Sequence, residues 1–65
     1  MYYISWQYTD GTWDWNDFGF DIFHNDLRVA LGRFNSLCDW EPNQNFRLVN
    51  FATGEVIKER IAWTR

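Results

Sequence analysis

The 65-residue chain has one cysteine, one proline and four glycines. With Cys38 alone, an intramolecular disulfide and a cysteine-rich zinc cluster are both excluded. A single unpaired thiol suits a reducing compartment, so a cytoplasmic location is expected. No charged-then-apolar leader and no long apolar run is present, so neither a signal peptide nor a membrane span is expected. Positive charge is missing from the first part of the chain. Before Arg28 stand Asp10, Asp14, Asp17, Asp21 and Asp26 with no Lys or Arg. That half is unsuited to duplex nucleic acid, where neutralising phosphates supplies most of the affinity.

Catalytic equipment is scarce as well. Cys38 and His24 are the one thiol and the one imidazole. If both bracket one helix, fourteen residues at ~1.5 Å rise hold them about 21 Å apart, too far for a dyad. Cys38 then reads as a small buried hydrophobe and His24 as a polar residue before the helix. Asp17, Asp21, His24 and Asp26 match no metal-ligand spacing. A calcium loop started at Asp14 gains Gly19 at position six but fails with Phe18 at five and Asn25 at twelve. No phosphate-cradling glycine loop and no nucleophile elbow is present. The expectation is a non-enzymatic protein without metal or cofactor.

Aromatic rings are what the chain has in abundance: five Trp, three Tyr and six Phe, 22% of all residues. A domain this small barely offsets its chain entropy, and large rings, each burying roughly 150–250 Å², are its available staple. The stretch WQYTDGTWDW reads as a hairpin around Asp10-Gly11, the strongest short-range turn signal. A two-residue loop pairs Tyr8 with Trp13 and Trp6 with Trp15. It places Ile4, Trp6, Tyr8, Trp13 and Trp15 on one face and Tyr3, Ser5, Gln7, Thr12 and Asp14 on the other. Residues 17 to 24 read as an aromatic-rich link.

Phe23, Leu27, Ala30, Leu31, Phe34, Leu37 and Cys38 recur at helical steps, with Asn25 as N-cap and Pro42 as the stop. A helix over about residues 25–39 follows. FRLVN-FATG-EVIKERIAW reads as a second hairpin with a four-residue loop over 51–54, Val49 facing Val56. Phe46, Leu48, Ile57, Ile61 and Trp63 then share one face, and Arg47, Lys58 and Arg60 the other. The expected fold is a single α+β domain over residues 1–65: two layers in ββαββ order, an antiparallel sheet of two hairpins packed on one helix.

Two function classes fit such a chain. The first is protein binding. Tyr2, Phe18, Phe20, Trp40 and Phe51 have no core partner in this scheme, and exposed large aromatics mark interaction sites. The expected partner-facing surface combines Asp17, Phe18, Phe20, Asp21 and Trp40 beside the helix. In size and kind the chain looks like the accessory or inhibitor proteins of phage and mobile elements. The expected action is occlusion of a host protein, such as a defence or nucleic-acid-processing complex. Homodimer formation, through the same surface or an open sheet edge, is a further outcome of this class. The second class is single-stranded nucleic-acid binding on a stripe of Arg47, Lys58 and Arg60.

Overall fold

The computed structural model describes residues 1–14 and 23–62. Its sheet is antiparallel throughout: β1 (Tyr2–Gln7), β2 (Trp13–Asp14), β3 (Phe23–His24), β4 (Phe46–Asn50) and β5 (Val56–Arg60), with α1 (Leu27–Trp40) between β3 and β4. The strand order is β2-β1-β4-β5. β3 also pairs with β1, opposite Tyr2 and Tyr3, while β2 lies opposite Trp6 and Gln7. Since β4 occupies the other side of β1, the two short strands lie end to end along one edge. The expected α+β architecture, one helix on an antiparallel sheet, is therefore present with a fifth strand added.

Helix α1 starts at Asp26, in extended geometry, whose side chain accepts from the backbone N–H of Arg28 at 2.8 Å. The cap thus falls one residue after Asn25. Its core face delivers Ala30, Phe34 and Leu37 onto Ile4, Phe46 and Leu48, all buried. Tyr2, Trp6, Leu27, Leu31, Cys38 and Ile57 border them. The Phe34 and Phe46 rings meet near edge-to-face at 6.5 Å.

The first hairpin departs from its expected register by one residue. A type I′ turn needs positive φ at both loop residues, but only Gly11 has it, at +94°. Asp10 stays at negative φ, where its carboxylate accepts both the Thr12 N–H (2.9 Å) and the Thr12 hydroxyl (2.7 Å). The result is a three-residue loop, closed by Gly11 N–H to Tyr8 O and Tyr8 N–H to Thr12 O. Gln7 now faces Trp13 and Trp6 faces Asp14. A one-residue slip moves every following side chain to the other face, so Trp13 leaves the side of Trp6. Tyr8 ends exposed, and Trp15 lies outside the described residues.

The second hairpin begins as expected, with Asn50 and Glu55 closing the four-residue loop and Val49 opposite Val56. An irregularity between Leu48 and Val49 then shifts the pairing, setting Leu48 against Lys58 and Phe46 against Arg60. Lys58 and Arg60 consequently project to the helix side. Lys58 Nζ donates to Asn35 at 3.0 Å. Arg60 donates to the carbonyls of Pro42 (3.0 Å) and Glu41 (2.5 Å), where α1 ends and a cation is favoured. Ile61, expected in the core, is exposed.

Candidate functional site

On β1, Tyr2, Ile4 and Trp6 face the helix, so Tyr3, Ser5 and Gln7 face away from it. Tyr3 pairs with Phe23 on one side and with Val49 on the other. Phe51, held at the end of β4 by its N–H to Met1 O at 2.9 Å, brings a third ring to the same place. The three centroids are mutually close: Tyr3–Phe23 5.9 Å, Tyr3–Phe51 6.1 Å and Phe23–Phe51 5.4 Å, the last two near edge-to-face. Val49 is buried on this side and is not among the side chains of the helix-side core. Phe51 nevertheless stays 58% exposed. These rings form an aromatic patch on the helix-free face of the sheet, held in place by strand pairing.

The same face continues to Trp13, over whose ring the Arg47 guanidinium lies at 3.9 Å. Arg47 also pairs with Glu59, opposite it on β5, at 2.5 Å. The expected stripe of Arg47, Lys58 and Arg60 is therefore divided between the two faces of the sheet, because the shifted register turns Lys58 and Arg60 toward α1. Each of the three cations is engaged by a protein group.

Of the residues expected to face a partner, Asp17, Phe18, Phe20 and Asp21 lie outside the described residues. Trp40 closes α1 and is 63% exposed. Tyr2, which had no core role in the sequence, borders the core. His24 sits in β3 before the helix and Cys38 near the helix's far end, so the fold does not bring them together. Burial pushes the Cys38 thiol above its ordinary value, against the opposing pull of Arg60 and Lys58. Among the described residues no three His, Cys, Asp or Glu side chains converge as metal ligands. No described helix is long and apolar enough to cross a membrane.

The patch was hidden in the sequence for two reasons. Phe23 stands four residues before Leu27 and continues the helical spacing, yet it precedes the cap and belongs to a strand. Tyr3 alternates with core residues and so sorts with Ser5 and Gln7. The available signal was Asp26, as good a cap as Asn25 and one that leaves Phe23 further outside the helix. Comparison with protein-family models, with curated proteins and with solved structures finds no match to this chain.

Proposed function

We propose that this is a cytoplasmic, non-enzymatic protein-binding domain, acting as an accessory or inhibitor protein that occludes a surface of a host protein. The observation that carries this reading is Phe51, a large ring left exposed while two further rings fix its position. A ring already ordered before binding loses little conformational freedom on docking, and aromatics of this kind dominate interface energetics. Asp17, Phe18, Phe20 and Asp21, which lie two to six residues before Phe23 in the chain, are proposed to extend this surface, with Trp40 as a separate exposed anchor. An acidic first half supports a partner with a basic docking surface.

The test is affinity capture from host-cell lysate with the native chain and with Phe51→Ser. A protein retained by the native chain should be reduced at least about tenfold by the variant, the usual scale of an aromatic anchor. Equal retention would remove the patch from the interface. Single-stranded nucleic acid draws less support, because Lys58 and Arg60 are turned toward the helix. Salt-sensitive quenching of tryptophan fluorescence by an oligonucleotide would restore that reading.

A further inference from the structure

The outer side of α1 carries two charges, Arg28 and Asp39, whose side chains are unpaired among the described residues. Arg28 in the first turn and Asp39 in the last are both exposed. Each stands at the end of the helix macrodipole that disfavours its charge: the cation near the positive N-terminus, the anion near the negative C-terminus. About three helical turns separate them, so both lie on one side of α1. Between them, Gly32 and Ser36 are exposed one turn apart. A Cβ built on Gly32 meets nothing within 4 Å among the described residues, so their packing does not require glycine there, although glycine is a poor residue for a helix interior. Val29 and Trp40, exposed by 55% and 63%, border this strip.

An antiparallel second copy of α1 accounts for these features together. With a two-fold axis between Gly32 and Ser36, Gly32 of one copy lies against Ser36 of the other and the backbones approach closely. Arg28 then falls opposite Asp39 of the second copy, and Val29 beside its Trp40, each contact occurring twice as an isologous interface requires. We propose that the chain self-associates as a two-fold dimer through the outer face of α1, joined by reciprocal Arg28–Asp39 pairs. The competing route, pairing of edge strand β5, is guarded by its register shift and by the Lys58 and Arg60 charges directed to the helix side. A single pair of helices about 21 Å long makes a small interface, so the dimer is a weak one. This face shares Trp40 with the proposed partner surface but not the Tyr3, Phe23 and Phe51 patch, and its test changes Arg28, Asp39 and Gly32 rather than Phe51, so the two outcomes are distinguishable.

Sedimentation velocity of the full chain, from about 10 µM to about 1 mM, reads the association expected for so small an interface. The mass should rise from the 7.9 kDa monomer toward twice that value. Arg28→Asp should weaken association at least about tenfold, and the double variant Arg28→Asp/Asp39→Arg should return it to within about threefold of native. Gly32→Gln, a good helix former in open space, should weaken association as well while far-UV circular dichroism stays native. A monomer at every concentration would overturn the proposal, as would a dimer indifferent to Arg28→Asp and Gly32→Gln. Failure of the double variant to restore association would remove the reciprocal pairs.

Discussion

Asp10 shows how one side chain decides a register. Its carboxyl is held below the ordinary value of 3.8, first by the Thr12 hydroxyl and then by the Thr12 backbone N–H. Because the folded value is depressed, the stabilisation is complete above the unfolded value and is lost as pH falls through the folded one. An NMR titration should therefore place the Asp10 midpoint below 3.8, and Thr12→Val should move it upward. An unmoved midpoint would mean that the hydroxyl does not hold the loop. The same contact keeps Asp10 at negative φ and so selects the three-residue loop that sends Trp13 to the Arg47 side.

At the scale of elements, charge and helix propensity make separate contributions. Arg60 reaches across from β5 to the carbonyls that end α1. Arg60→Met should lose about 1–2 kcal/mol in urea unfolding, the range for charge-assisted hydrogen bonds at a half-buried site, as the guanidinium leaves the carbonyls and the Phe46 ring it lies 5.7 Å from. Gly32→Ala should raise stability by up to about 1 kcal/mol, since the added methyl meets nothing within 4 Å among the described residues. The elements most legible in the sequence were those with a single strong period. α1 repeats at three and four residues, and β4 and β5 surround a loop whose Gly54 has φ +75°. What stayed illegible was everything a one-residue slip controls. A loop of two or three residues around Asp10-Gly11 and an irregularity inside β5 leave the same letters in the sequence but reverse the faces. The two-residue strands β2 and β3 are too short to show a period of two at all.

For the molecule as a whole, two groups of described rings stand on opposite sides of one sheet. Phe34 and Phe46, buried against each other under α1, hold the fold. Tyr3, Phe23 and Phe51 gather on the helix-free face with Phe51 largely in solvent. In the function proposed above the acidic first half and the exposed Phe51 ring serve partner binding, while the proposed dimer uses the outer face of α1. The most direct measurement of this division is equilibrium urea unfolding of Phe46→Ala beside Phe51→Ala. Phe46→Ala should lose about 3–5 kcal/mol, the cost of emptying a ring-sized site in a packed core. Phe51→Ala should lose about 1 kcal/mol or less, the worth of edge contacts at an exposed ring. Equal losses would contradict the account and make the patch a second core.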